Sequence, residues 1–401
     1  MIQTRELRRM AELDGVEKTV EHLGEAVEAG HLVPNDFSFK GLFQALVVNK
    51  DGVNVGNDVL EECCDPRGPQ KNLALAENTN AVDTSHFANV SGLLTVREAM
   101  AAYQSEEFVL TNLIRTMQAA NQLERLSGVS ELGDAAQVVN EGKPYPTAGV
   151  NDDWVDLPRM LKRGFIVPVT KEALFFDQTA QVLRNSSDLG RSFGINKEKR
   201  AIDCVIDENT TAHRYKWRDS TYATYQASTP WINSKTSNAL VDWTDIDAVE
   251  QLFANMVDPN TGEPINVMAD TLIVHPSLEA TAMRVMDALG IAYHSAGYPT
   301  NAAALATTAA NPVGRNGSRY SMKYKIVSSR FLGPRLATDT DWFLCNPAKA
   351  WAYREAWAAT PSQAPPNSEI EFTHDIAFRF KVSEMGAFAT IDPRYAAKSA
   401  A

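Results

Sequence analysis

The sequence predicts an α+β chain, and three observations predict it. A long one-sided helical pattern runs from 172 to 208, with Leu189, Phe193, Ile202, Val205 and Ile206 on its apolar side. Short apolar strands, TLIVH and YKIVSS, alternate with helical stretches after residue 238. The stretch EIEFTHDIAFRFKVSEMGAFATI then keeps a period of two through Ile370, Phe372, Ile376, Phe378, Phe380 and Val382, the pattern of a sheet strand with one face buried.

Residues 5 to 47 read as helices, because Leu7, Met10, Leu13, Val20, Leu23 and Val27 recur at helical spacing, with a break at Gly30 before the short amphipathic NDFSFKGLFQALV. From 48 to 91 the chain is rich in Asn, Gly and Pro and weakly periodic, as a wandering surface segment is. A second helical block is expected from Thr95 to Leu126, with Tyr103, Phe108, Leu113, Met117 and Leu123 inward. EGKPYPTAG, 141 to 149, holds nothing that fills a core and reads as the tip of a long two-stranded hairpin. Its second limb includes Gly164 to Val169, a strand that Pro168 confines to an edge or a bulge.

Within the long helix, NSSD at 185 to 188 marks an expected local break. HRYKWRDSTYATYQ interleaves aromatics and cations and predicts a second hairpin rather than a piece of core. Thr244 with Asp247 makes an acidic capping box for a helix carrying Val249, Leu252, Phe253 and Met256. TLIVH is a buried strand, and PSLEATAMRVMDAL a helix with Pro276 in its first turn. SAGYPTNAAALATTAANPVGRNGSRYS is small and unpatterned, so a long exposed loop is expected there. YKIVSS and DWFLCNPAKAWAYREAW return to strands.

With 401 residues, 44% of them hydrophobic, the chain can bury a sizeable core and fill two or three domain-sized pieces. The net charge of −12 argues against a protein whose main task is gripping phosphate backbones. No window approaches the apolar length of a membrane span, and the N-terminal stretch has no apolar signal core. The four cysteines, with Cys63 and Cys64 adjacent and Cys204 and Cys345 isolated, form no disulfide framework and fit a reducing cytoplasm.

Signatures of chemistry are missing: GxSxG, HExxH, GxGxxG and an EF-hand loop are absent, and GVSELGD puts an acid where a phosphate loop needs its lysine. No catalytic, cofactor or metal site is expected. A Cys204–His275 nucleophile pair is weighed and set below structural roles for both, and the seven histidines show no i, i+3 or i, i+4 pair. Tyr215, Trp217, Tyr222 and Tyr225 beside Arg214, Lys216 and Arg218 would suit a single-strand-binding surface, but cross-strand aromatic pairs are the favoured reading. KEKR at 197 to 200 reads as the solvated face of a helix before it reads as a nucleic-acid patch.

The order of KRGFIVPVTKEALFFDQTAQVLRNSSDLGRSFGINKEKRAIDCVIDE, TLIVHPSLEATAMRVM, YKIVSSRFLGPRLATDTDWFLCNPAKAWAYREAW and EIEFTHDIAFRFKVSEMGAFATIDPRY resembles the major capsid proteins of tailed double-stranded DNA phages with the Hong Kong 97 type fold. AVDTSHFANVSG and PNDFSFKGLFQALV are similar to a Mu-like, prophage-borne branch. The resemblance implies an N-terminal helical region and arm at 1–133 and an extended β-hairpin loop at 134–172. It implies a peripheral domain with a long spine helix and sheet at 173–238 and 366–401, and an axial domain at 239–365.

The resemblance also implies a non-enzymatic head subunit that self-assembles into pentamers and hexamers of an icosahedral shell around double-stranded DNA, which it encloses without specific binding. Portal, scaffold and decoration proteins would be further partners, assembly would take place in the bacterial host cytoplasm, and the virion would be its final place. The loop would lie across the neighbouring subunit, and Glu141, Lys143, Tyr145, Trp154, Arg159, Lys162 and Arg163 are the contact residues it offers. Some members lock subunits with a Lys–Asn bond; Lys143 and Lys162 lie in the loop, but no partner asparagine or glutamate is assignable, so no crosslink is expected. Three alternatives are an encapsulin-like compartment, an unrelated α+β enzyme, and a single-strand-binding module.

Overall fold

The computed structural model describes residues 9–10, 16–28, 38–46, 85–105, 107–128, 136, 138–145, 153–170, 173, 176, 178–207, 214–287, 290–293, 307–310, 324–336, 338–363 and 376–400. In chain order its helices are α1 (Val16–Glu28), α2 (Phe39–Leu46), α3 (Ser85–Tyr103), α4 (Val109–Leu113), α5 (Thr179–Ile206), α6 (Trp243–Ala254), α7 (Pro276–Asp287) and α8 (Pro347–Ala350). Its strands are β1 (Arg115–Gln118), β2 (Arg125–Ser127), β3 (Trp154–Asp156), β4 (Leu161–Thr170), β5 (Tyr215–Trp217), β6 (Ser220–Tyr222), β7 (Ser234–Lys235), β8 (Thr271–Val274), β9 (Gly290–Tyr293), β10 (Thr307–Ala310), β11 (Lys325–Ser328), β12 (Trp342–Cys345), β13 (Trp351–Gln363), β14 (Ile376–Thr390) and β15 (Ala396–Ser399). The chain is therefore α+β.

It divides into two compact units: Met1–Ser105 with Lys162–Asn196 and Trp357–Met385, and Glu106–Leu161 with Lys197–Ala356 and Gly386–Ala401. In the first, α2 places Phe39, Leu42, Phe43 and Leu46 at i, i+3, i+4 and i+7, so one stripe is buried against Leu23, Val90 and Leu94. Val167 and Val169 of β4, Leu183 and Phe193 of α5, and Val382 of β14 complete that core. Ser38 starts α2 by accepting from the Gly41 N–H at 3.2 Å, and the Phe39 N–H donates to Thr179 Oγ1 at 2.7 Å, so α2 and α5 begin at one point. β4 lies beside β14 at a sheet edge, as Pro168 requires.

The second unit is built on a five-stranded sheet in the order β11-β8-β12-β15-β7. β8 (TLIV) and β12 (WFLC) are buried at every position. One face meets Ile246, Val249 and Phe253 of α6 and Ala282 and Val285 of α7, and the other meets Ala201, Ile202, Cys204 and Val205 of α5. Covering on both faces is why these strands read as continuous apolar runs instead of alternating ones. The C-terminal β15 pairs antiparallel with β12 and parallel with β7.

Several expectations are corrected. The break at NSSD is not formed: α5 runs through Asn185–Asp188, because propensity is a weak prior against buried neighbours such as Leu183 and Phe193. Helix α3 starts at Ser85, inside the stretch expected to wander, and the block ending at Leu126 instead gives way to β1 and β2, leaving Leu123 exposed. The helical cap is Asp242 with Asp245, not Thr244 with Asp247: Asp242 Oδ1 accepts from the Thr244 N–H at 2.8 Å, and Asp245 Oδ2 from the Asp242 N–H at 2.9 Å. Part of the expected long loop is the strand β10, paired antiparallel with β9.

The units also divide the chain elsewhere than expected. Residues 1–133 are split at Ser105, and β15, expected with a peripheral piece from 366, belongs to the sheet of β8 and β12. Strand pairing decides membership here, and period-two patterning does not say which sheet a strand joins. Cys63, Cys64, Ile370 and Phe372 lie outside the described residues.

Lys197–Arg200 is not a solvated face. Lys197 Nζ sits 4.2 Å from the Tyr353 ring centroid and Lys199 Nζ 5.9 Å from that of Phe331. The buried Glu198 accepts from the Leu110 N–H at 3.0 Å, the Thr111 N–H at 2.8 Å and Thr111 Oγ1 at 2.6 Å, capping the start of α4. Glu198→Ala should orphan the buried Leu110 N–H and cost about 1–3 kcal/mol in urea unfolding of the unassembled chain; an unchanged midpoint would remove this role.

Candidate inter-subunit arm

The segment around EGKPYPTAG begins and ends at one place. β2 and β3 pair antiparallel, with Arg125 opposite Asp156, Leu126 opposite Val155 and Ser127 opposite Trp154. The ladder continues outward as the Gly128 N–H donates to the Asp153 carbonyl at 2.7 Å, and backward as Leu157 N–H reaches Glu124 O at 3.2 Å and Met160 N–H reaches Gln122 O at 3.3 Å. Residues 122–128 and 153–160 are thus the stem of a hairpin-like projection. Its strands join the sheet β2-β3-β5-β6.

This corrects the expected pairing. Gly164 to Val169 is a strand, but β4 lies beside β14, and β3 beside β2 and β5. The reason is chemical: Val167 and Val169 are buried in one core with Val382 of β14, so β4 takes its neighbour from that core.

At the tip, the Lys143 N–H donates to the Asn140 carbonyl at 3.1 Å, and Gly142 has φ +80°, the positive φ that the third position of a type II turn needs. Glu141 and Lys143 are exposed, and Tyr145 and Val138 are 85% and 96% exposed. Residues 146–149 of the expected tip lie outside the described residues. Two apolar side chains thus flank a polar turn with little of this chain over them.

The other candidates fall on the stem and on β4. The Arg125 guanidinium lies 5.3 Å from the Trp154 ring centroid and donates from Nε to Asp156 Oδ1 at 2.7 Å, so the three side chains form one face of the stem. The Trp154 indole nitrogen is buried without a hydrogen-bond partner among the described residues. Arg159 is exposed beyond the stem, Lys162 stands 5.9 Å from the Trp357 ring centroid, and Arg163 is half-buried on β4.

Residues that carry no sequence signal hold the stem. Glu124 Oε1 accepts from the Ala120 N–H at 2.9 Å and the Asn121 N–H at 3.0 Å, and its other oxygen faces the buried Arg354 guanidinium. Asp153, also buried, is met by Arg218 and Asn260. A chain reading sees only scattered charges, because these partners are far apart in sequence.

The remaining candidates for chemistry are engaged elsewhere. Cys204 is buried against Thr390 Oγ1 at 3.8 Å, and burial pushes its thiol up to about 12. His275 Nδ1 bonds Ser277 Oγ at 2.8 Å, and its Nε2 lies 3.8 Å from Asp339. Neither contact joins Cys204 to His275. Tyr215 and Trp217 are buried with Trp231, ring centroids 5.2 and 6.1 Å away, so the aromatics expected to avoid the core form part of it. The hairpin β5–β6 forms as expected, but Tyr215 and Trp217 offer no face to bases. Among the described residues no three His, Cys, Asp or Glu side chains are grouped to hold a metal, and no helix is long and apolar enough to cross a membrane.

Backbone N–H groups, first that of Asn121, and the Arg354 guanidinium hold the Glu124 carboxyl below its ordinary value of 4.5. A depressed folded value stabilises fully above that value and is lost as pH falls through the folded one. Acid titration of unfolding should therefore show stability falling below about pH 4.5. Glu124→Gln should flatten that limb and cost about 3 kcal/mol at neutral pH by leaving Arg354 buried without its anion; an unchanged acid limb would contradict the pairing.

A family model described as phage capsid protein matches residues 155–399. Among solved structures, the chain is similar to a virus-like particle from Pyrococcus furiosus at 12% identity, covering 76% of this chain and 98% of that one with a TM-score of 0.39. A phage-related protein from Bordetella bronchiseptica RB50 aligns at 11% identity over 76% of this chain and 95% of that one, with a TM-score of 0.44. A structure from Mycobacterium phage Adephagia aligns at 13% over 73% and 89%, with a TM-score of 0.43. No curated protein matches the chain.

Proposed function

Because the chain belongs to the phage capsid protein family, we propose that it assembles with copies of itself, as hexamers and pentamers, into the closed icosahedral shell of a Hong Kong 97 type head around double-stranded DNA. The observation that carries the assembly reading is the projection on the β2–β3 stem, whose tip exposes Val138 and Tyr145. Apolar side chains held out on a narrow stem gain stability when a neighbouring copy covers them. A repeated contact of this kind closes into rings when its rotation closes.

In this reading the loop runs from its stem at residue 122 to residue 160, and β4, within the interval expected at 134–172, lies beside β14 instead. Glu141, Lys143 and Tyr145 meet the neighbouring subunit directly, while Trp154 and Arg159 stiffen the approach and Lys162 and Arg163 add cationic contacts from β4. The long helix α5 is the spine, the sheet of β8 and β12 carries the axial part, and the N-terminal region reaches across neighbours. The role is structural and not enzymatic. Portal, scaffold and decoration proteins are the further partners, host cytoplasm is the place of assembly and the virion the final one.

The net charge of −12 supports a wall that holds dense DNA without gripping it. Membership of a phage capsid family favours DNA as the content over the enzyme cargo of an encapsulin-like compartment.

Deletion of 141–145 tests the arm. The deleted chain should melt within a few degrees of the parent, since these side chains are exposed, and electron microscopy should find rings or free subunits in place of closed shells. Normal shells from the deleted chain would refute the arm's role.

A further inference from the structure

The stem is fastened by a group that neither the sequence nor the family match marks. Asp153 is the first described residue after the tip, and its side chain is only 2% exposed. Its Oδ1 accepts from Arg218 Nε at 2.5 Å and faces a second guanidinium nitrogen, and its Oδ2 accepts from the Asn260 amide. Its carbonyl takes the Gly128 N–H at 2.7 Å, and a Cβ at Gly128 would stand 3.1 Å from Asp153 Cα and closer still to its Cβ. Both limbs of the loop therefore meet at this one residue.

The two clasping side chains come from independently fixed turns. Arg218 and Asp219 occupy the two-residue turn between β5 and β6 with φ of 49° and 59°. Such turns favour Asn and Gly, because other residues are strained at positive φ. An arginine there is explained by where its guanidinium goes, not by the turn. It also packs 4.7 Å from the Trp217 ring centroid, on an indole buried in the core.

Asn260 sits in a turn held by Asp258, whose Oδ1 accepts from the Asn260 N–H at 2.8 Å and the Thr261 N–H at 3.0 Å. Asp258 in turn lies 3.6 Å from the buried Arg394, which is bonded to Asp392. The clasp thus rests on the core of its unit through two separate routes.

We propose that Asp153, clasped by Arg218 and Asn260, is a positioning residue that holds the root of the loop 128–153 rigid and so presents its tip to a second copy of the chain; the second half rests on the arm reading above. A limb from Gly128 to Glu141 reaches at most on the order of 40 Å. At that length a tilt of about 10° at the root moves the tip by about 7 Å, more than a side-chain contact tolerates. Three ladder pairs set the register of the stem, and the clasp sets its direction.

The test uses the full-length chain with Arg218→Gly and, separately, Asp153→Asn. Arg218→Gly removes the guanidinium while giving the turn the residue it favours, and the Asp153 partner it leaves can take up water at a surface where the Arg218 side chain is 42% exposed. Melting temperature, amide exchange at 125–128 and 153–157, and shell yield by electron microscopy are read together. The expected result is a melting temperature lowered by no more than a few degrees, since the relieved turn offsets part of the cost of parting the buried Asp153 from its guanidinium, with exchange at least about tenfold faster in the stem, and closed shells reduced about tenfold because the tip must now be ordered on contact.

Parental exchange in the stem overturns the clasp. Faster exchange with parental shell yield overturns the positioning role. A melting temperature that falls in step with shell yield in both variants assigns Asp153 a merely structural role, which also overturns the proposal. Deletion of 141–145 runs beside them: if that variant forms normal shells, the arm reading itself has failed, and stem exchange still decides whether the clasp exists.

Discussion

The central strand pair β12–β15 constrains the rest of the second unit. β12 ends at Cys345 and its antiparallel neighbour β15 begins at Ala396, so the whole excursion through α8, β13 and β14 must leave and return at one point in the sheet. Backbone bonds close that point: Asn346 N–H to Tyr395 O at 2.9 Å and Ile391 N–H to Ala350 O at 2.8 Å. Trp342, Leu344 and Ala397 are buried on one face and Phe343, Cys345 and Ala396 on the other, so slipping the register by one residue would exchange two different sets of neighbours. A sheet fixed this firmly is a rigid platform from which projecting parts can be held.

The stem of the loop uses such a platform. Its strand β3 pairs with β5, whose Tyr215 and Trp217 are buried in the same core as Trp342 and Leu344. The loop is therefore polar and exposed at its tip, laddered along its stem and apolar at its base. That gradient is what the proposed arm would use: the base contributes to folding the subunit, and in the proposal the tip is left for a neighbouring copy. A container subunit needs both, since a surface that buried everything within itself would have nothing left to join.

Much of the fold was legible because burial on one or two faces leaves a pattern. TLIV and WFLC gave strands as unbroken apolar runs, FKGLFQAL gave a helix by its stripe, and Pro168 placed β4 at an edge. NSSD misled because Asn, Ser and Asp favour turns only where nothing packs around them, and α5 is packed on both sides of that stretch. The pairing partner of β4 was not legible, because alternation says which face is inward and not which strand lies alongside. At the candidate site, the tip turn could be read from Gly142 and its neighbours, while Asp153, Arg218, Asn260 and the Glu124–Arg354 pair depend on contacts distant in sequence and gave no local sign.

The central claim is that this chain is built to be completed by copies of itself. Electron microscopy of the purified protein expressed alone, across a concentration series, tests it most directly. The account predicts closed polyhedral shells, or rings of subunits, increasing with concentration. Compact monomers at every concentration, with and without a co-expressed scaffold, would contradict it.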